Sequence, residues 1–170
     1  MNIPTFPGPC TRWETRRTIL RSYVPADERA FLDLWCDPVV QRWSFVEYLD
    51  PSRTERFLRE TLESIDRGST FFVVVEDKEK REVLGHVNLT FKPPRPPNCE
   101  SGGGCGGRDD RDLPDASIGI ALKARYRGRG FGTEVMHWLI TYGFRELGLR
   151  RISLTVVEDN IPALRMYKKM

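Results

Sequence analysis

Apolar residues recur along this chain in two periods, and the switches between them predict its elements. TRRTILRSY (15–23) alternates, with Thr18, Leu20 and Ser22 opposite Ile19, Arg21 and Tyr23, so a strand is expected there after an irregular lead-in over residues 1–13. Pro25-Ala-Asp-Glu then opens a helix through Trp35, since proline is tolerated in a first turn and acids suit its positive end. Asp37-Pro38 interrupts it. Ser52 and Glu55 have the spacing of a capping box, and Phe57, Leu58, Thr61, Leu62 and Ile65 form a helical stripe closed by Gly68.

The period then shortens. STFFVVVED (69–77) and EVLGHVNLTF (82–91) are rich in β-branched and aromatic residues and flank the charged turn 78–81, which predicts a hairpin. Residues 92–114 (KPPRPPNCESGGGCGGRDDRDLP) are dominated by proline, glycine and charge and read as an insertion without a core of its own. Within it Pro93-Pro94 and Pro96-Pro97 fit either a polyproline ligand or a merely solvated loop. ASIGIAL (116–122) is a strand. Phe131 to Leu147 is a helix with Met136, Leu139, Ile140, Gly143, Phe144 and Leu147 on one face, stopped by Gly148. RISLTVV (151–157) is a strand, and a last helix begins behind the N-cap Asn160, with Pro162 in its first turn. The order (strand, two helices, three strands, helix, strand, helix) predicts a mixed α/β layer fold.

Composition narrows the class without naming a chemistry. With 170 residues, 39% apolar and 30% charged, one packed domain is expected. A net charge of +3, spread along the chain, gives no basic stripe for nucleic acid. No apolar run approaches the ~20 residues that span a bilayer. The first residues, broken by Pro4, Pro7 and Pro9, lack the apolar core of a secretory signal. Cys10, Cys36, Cys99 and Cys105 are scattered without the pairing or nearby histidine of a zinc site, so no metal is expected and a cytoplasmic protein with reduced thiols is.

The candidate chemistry sits in RYRGRGFGTEV (125–135), where glycines crowd the start of a helix that they should weaken. A strand, a glycine-rich turn and a helix N-terminus together present free backbone N–H groups beside the positive end of the helix dipole, which is an anion site. Arg127 and Arg129 add cations, so Arg127-x-x-Gly130-x-Gly132 reads as a cradle for a diphosphate. No Gly-Lys-Ser/Thr follows, as a P-loop requires, and the spacing is not the G-x-G-x-x-G of a dinucleotide fold. A plain helix-entry turn is the bland alternative.

A second motif bears on that choice. Asn160-x-x-Ala163-x-x-x-Tyr167 follows a strand and lies on one helical face. The two motifs in this order resemble the GNAT superfamily of acyl-CoA-dependent N-acyltransferases. The runs Arg125–Glu134 and Tyr142-Gly143-Phe144-x-x-Leu147-Gly148-Leu149-x-x-Ile152 are similar to its branch that modifies ribosomal-protein N-termini, polyamines and small amines, and Asp37-Pro38-x-Val40 agrees. The resemblance implies a GNAT-like fold over residues 14–170: a central, mostly antiparallel sheet with a splayed parallel strand pair, interrupted by the 92–114 insertion. It further implies acetyl-CoA as acyl donor, held at Arg127, Gly128, Arg129, Gly130, Phe131, Gly132 and Thr133 through the diphosphate. Ile120, Ala121 and Leu122 would lie along the pantetheine arm, with Asn160, Ala163 and Tyr167 near the cofactor.

The implied reaction is direct attack of a primary amine on the thioester. Tyr167 would return a proton to the leaving thiolate, and His86, beside Asn88 on one strand, is the candidate base against a packed strand histidine. Glu47, Asp115, Glu134 and Glu158 are weaker candidates, and His137 reads as surface. The acceptor would be a small-molecule amine or a protein N-terminus, with no nucleic-acid or membrane partner, and a homodimer stays open. In the family, further strands follow the position of Met170 and help line the acceptor site, so relative to it the sequence reads as truncated. A catalytically impaired CoA-binding module with a scaffolding role is therefore the alternative.

Overall fold

A computed structural model describes residues 11–43, 50–92 and 113–170. The proline pairs, Glu47, three of the four cysteines (Cys10, Cys99, Cys105) and nearly all of the insertion lie outside the described residues. The sheet runs β1 (Arg12–Glu14), β2 (Thr18–Arg21), β3 (Thr70–Asp77), β4 (Val83–Phe91), β5 (Asp115–Leu122), β6 (Arg151–Ser153), in that spatial order. Neighbours are antiparallel except β5 and β6, which are parallel. No helix among the described residues is long and apolar enough to cross a membrane.

β3 shows why the sheet needs helices on both sides. All eight of its residues are buried, as a strand covered on two faces must be. Phe71, Val73 and Val75 face one core, with Leu20, Val87, Leu89, Ile118 and the α4 (Phe131–Arg145) residues Val135, Met136 and Leu139. Phe72 and Val74 face the other. There α1 (Glu28–Trp35), α2 (Pro38–Gln41) and α3 (Pro51–Asp66) deliver Phe31, Leu34, Trp35, Val40 and Leu58. The last helix, α5 (Ile161–Tyr167), packs Met166 and Tyr167 against the α4 side.

Several element boundaries differ from the sequence reading. The expected strand 15–23 is β2 alone, and its first residues form a turn: Thr15 N–H donates to Thr18 C=O at 2.9 Å, and the two Thr hydroxyls are 2.6 Å apart. The strand before it, β1, falls in the expected lead-in and across the expected domain start at residue 14. Trp13 holds it in place, packing on Phe71, Trp138 and Tyr142 at ring distances of 5.8, 5.2 and 5.3 Å. The cap of α3 is Asp50, not Ser52: its carboxylate accepts from Arg53 N–H at 2.9 Å, and Ser52 Oγ donates to it at 2.7 Å. The helix at Pro25 begins as a 3-10 turn, Pro25–Asp27, before α1. β6 stops at Ser153 rather than Val157, which bears on function.

Candidate functional site

β5 ends at Leu122, a 3-10 turn follows at Ala124–Tyr126, and residues 127–130 lead into α4. Tyr126 anchors this entry: its ring is buried and its hydroxyl donates to the Glu82 carboxylate, which also accepts from Arg125 at 3.0 Å. Beyond it the chain turns on glycine. Gly128 has φ 71° and Gly130, the N-cap of α4, φ 81°, both in the left-handed region costly for other residues. The N–H groups of residues 128–133 have no hydrogen-bond partner among the described residues. Residues 128–130 are exposed, and a Cβ built on Gly128 meets nothing within 4 Å. The result is a row of unpartnered donors at the positive end of a 15-residue helix, the kind of place where an anion is held.

The third glycine serves something else. Gly132 lies inside α4 with ordinary φ, and a Cβ there would stand 3.2 Å from Met166 Sδ and 3.7 Å from Leu122 Cδ1. It lets α5 close against α4. The two arginines also part. Arg127 is half-buried; its Nε donates to Leu122 C=O at 3.1 Å and its Nη1 to Val39 C=O at 3.3 Å, tying α2 to the end of β5. Burial lowers its pKa from the ordinary value. Its guanidinium thus ties α2 to the end of β5, beside the turn where the sequence places a cationic donor. Arg129 is exposed and, with Lys80, Glu82, Arg125 and Tyr126, borders a hollow of about 220 Å³.

Beside the turn, the sheet opens. β5 and β6 pair only at Asp115↔Arg151, Ala116↔Ile152 and Ser117↔Ser153, although β5 runs on through Leu122. Ser153 Oγ, 3.2 Å from Ala116 C=O and 3.3 Å from Ser117 Oγ, marks the last point of contact. Past it Ile118–Leu122 is paired with β4 on one side and, among the described residues, with no strand on the other. Asn160 caps α5, its side chain accepting from Ala163 N–H at 3.2 Å. At the far end of that helix Tyr167 is partly buried, and burial raises its phenol pKa above 10.0.

His86 and Asn88 do point the same way, toward the α1 side of the sheet. His86 is only 8% exposed and lies within 5.7 Å of the rings of Phe31, Trp35 and Phe72, stacked on the last at 4.8 Å. Burial pushes its pKa down to about 3, and Nδ1 is buried without a hydrogen-bond partner. A base must be reached by its substrate, and of the two readings the sequence left open for His86, this enclosure favours the packed strand histidine. Asp115 is paired with Arg150 at 2.8 Å, while Glu158 and His137 are exposed.

Glu134 does not fold back on its own helix. Its carboxylate accepts from Thr15 Oγ1 at 2.5 Å, Arg17 N–H at 2.7 Å and Arg17 Nε at 2.8 Å. Neither Thr15 nor Arg17 was marked by the sequence pattern; only a cationic pair, Arg16-Arg17, stands there ahead of an apolar run.

Comparison with known proteins bears on the whole arrangement. Residues 17–170 match the family described as an acetyltransferase (GNAT) domain. Uncharacterized N-acetyltransferase p20 of Bacillus licheniformis is 26% identical over 159 residues, which cover 92% of this chain and 79% of that protein. Spermidine N-acetyltransferase of Vibrio cholerae, solved in complex with CoA and spermine, aligns with TM-score 0.67 and 21% identity over 89% of this chain and 78% of its own. Ribosomal-protein-S5-alanine acetyltransferase of Vibrio fischeri aligns with TM-score 0.66 and 16% identity over 94% and 81%. At these identities the two structures show a common fold.

Proposed function

Because the chain belongs to the GNAT acetyltransferase family, whose reaction moves an acetyl group from acetyl-CoA to an amine, we propose how its own residues divide that work. The N–H groups of residues 128–133 hold the diphosphate of acetyl-CoA, with the positive φ of Gly128 and Gly130 aiming them outward. Arg129 supplies exposed cationic charge at the rim, with Lys80 and Arg125 nearby. Phe131 and Thr133 belong to this site through their main chain. The open side of Ile120 offers main-chain partners to the pantetheine arm, as an added strand would take them, with Ala121 turned toward β4 and the Leu122 carbonyl shared with Arg127. Asn160 and Ala163 start the helix that flanks the arm, and Tyr167 ends it.

In the reaction the amine lone pair forms a C–N bond at the thioester carbon, and the C–S bond breaks. A main-chain N–H on the open edge of β5 stabilises the tetrahedral oxyanion. Tyr167 gives its proton to the departing sulfur. Its raised pKa keeps the phenol protonated at neutral pH, the form such an acid needs. The ammonium formed on the nitrogen loses its extra proton to solvent, and the Tyr167 phenolate takes one back from solvent, which restores the acid.

We take the catalytic domain to begin at Arg12, one strand earlier than residue 14, with residues 92–114 inserted between β4 and β5. The acceptor we infer is a primary amine, on a small molecule or a protein N-terminus; the relatives named for spermidine and for a ribosomal protein support that class. A cytoplasmic location goes with this reading.

The observation that carries the reading is the run of unpartnered N–H groups beside the gap between β5 and β6. Isothermal titration with acetyl-CoA, followed by release of free thiol with a panel of primary amines, tests it. Binding and thiol release together are expected; absence of acetyl-CoA binding overturns it. Binding without turnover on any amine would leave the impaired module instead.

A further inference from the structure

We propose that Arg17, on the turn between β1 and β2, is a positioning residue for the diphosphate turn: it restrains Glu134 and orients the Gly130 amide so that both leave the site open to an anion. The inference rests on the functional reading above.

The argument starts from a conflict. A carboxylate in the first turn of a helix is drawn to the free N–H groups there. Glu134 stands one residue beyond the unpartnered N–H groups of 128–133, so a free Glu134 would compete with a phosphate for them and repel it. It is not free. Its Oε1 accepts from Thr15 Oγ1 at 2.5 Å and from Arg17 N–H at 2.7 Å, and its Oε2 accepts from Arg17 Nε at 2.8 Å. Burial raises the Glu134 pKa, and the hydrogen bonds from Thr15 and Arg17 outweigh that, leaving the carboxyl below its ordinary value.

The same guanidinium also reaches the turn. Arg17 Nη1 donates to Arg129 C=O at 2.8 Å. In a trans peptide the C=O and the following N–H point opposite ways, so fixing that carbonyl aims the Gly130 N–H away from Arg17. The guanidinium carbon lies 4.3 Å from the centre of the Phe131 ring, and Nη2 would stand 3.2 Å from a Cβ on Gly130. The turn bearing Arg17 is itself held from behind: Arg17 C=O accepts from Lys78 N–H at 2.9 Å, and Thr15 C=O accepts from Lys78 Nζ at 3.1 Å. One side chain on a braced turn therefore sets a carboxylate, a peptide plane and a ring at the start of α4.

The test is a double-mutant cycle read by isothermal titration with acetyl-CoA, each variant accompanied by a thermal melt. Arg17→Ala should weaken acetyl-CoA binding by about tenfold or more, and Arg17→Lys, which cannot serve Glu134 and Arg129 together, by nearly as much. Thiol release should show the loss in KM for acetyl-CoA and little of it in kcat. The deciding variant is Arg17→Ala/Glu134→Gln. With the competing charge gone, it should bind at least about threefold tighter than Arg17→Ala, the part not recovered measuring the lost hold on the Arg129 carbonyl. A role in folding alone predicts the opposite, with the double variant no tighter than Arg17→Ala and melting lower. That result overturns the proposal, as does unchanged affinity in Arg17→Ala. Failure of the unmodified protein to bind acetyl-CoA overturns the functional reading and this inference with it, and is distinguished by appearing before any substitution.

Discussion

At the scale of single residues, the three glycines of the turn carry three different demands, and their variants should separate. Gly130 sits at φ 81° with Arg17 Nη2 beside it, so Gly130→Val meets both backbone strain and a side-chain neighbour. It should cost about 1–2 kcal/mol or more in stability and abolish measurable acetyl-CoA binding, read by melt and titration. Tyr167→Phe should lower kcat on the order of a hundredfold while sparing affinity, the usual scale for loss of a positioned acid. On the proposed acid role the protonated phenol is the active form, and burial raises its pKa, so the alkaline fall in kcat should lie above the ordinary tyrosine value of 10.0 and be absent from Tyr167→Phe. His86 gives a prediction of opposite sign. Its folded pKa of about 3 lies below the ordinary 6.5, so the unfolded chain binds the extra proton between those values. Stability is complete above pH 6.5 and is lost as pH falls toward 3, by at most roughly 5 kcal/mol at about 1.4 kcal/mol per unit. His86→Leu should flatten that acid limb of a denaturation series. Residue type and spacing marked Gly128, Gly130 and Asn160, because a left-handed turn and a cap are local demands. They did not separate Gly132, whose reason is Met166 in another helix, or mark Arg17, whose partner is more than a hundred residues away.

At the scale of elements, the regular pieces followed from local pattern, while their ends were decided by neighbours. The two-period switch at Ser69 was legible because β-branched runs fit a covered strand. β1 was not, since three residues with one apolar side chain carry no period; Trp13 becomes a strand residue only by packing on Phe71, Trp138 and Tyr142. Likewise RISLTVV has the composition of a seven-residue strand, yet pairing stops at Ser153, where β6 leaves β5. Intrinsic β preference continued past the point where a partner was present. The contact between α4 and α5 is close enough to test: Gly132→Val should cost about 1–3 kcal/mol through overpacking against Met166 and Leu122, lowering the melting temperature.

At the scale of the whole molecule, a sheet covered on two faces holds the turn proposed to take the diphosphate beside the end of the β5–β6 pairing. The α4 core fixes the helix whose start bears the free N–H groups, and the α1–α3 core encloses His86 on the other face. Fold and family were readable from paired motifs, whereas the acceptor side was not, because nothing in the local pattern names an amine. The most direct test follows backbone amide resonances while CoA is titrated into the full chain. The account predicts that the N–H signals of residues 128–133 shift most and saturate together, with those of Ile120–Leu122 following them. Saturable CoA binding that left the amides of 128–133 unmoved would contradict it.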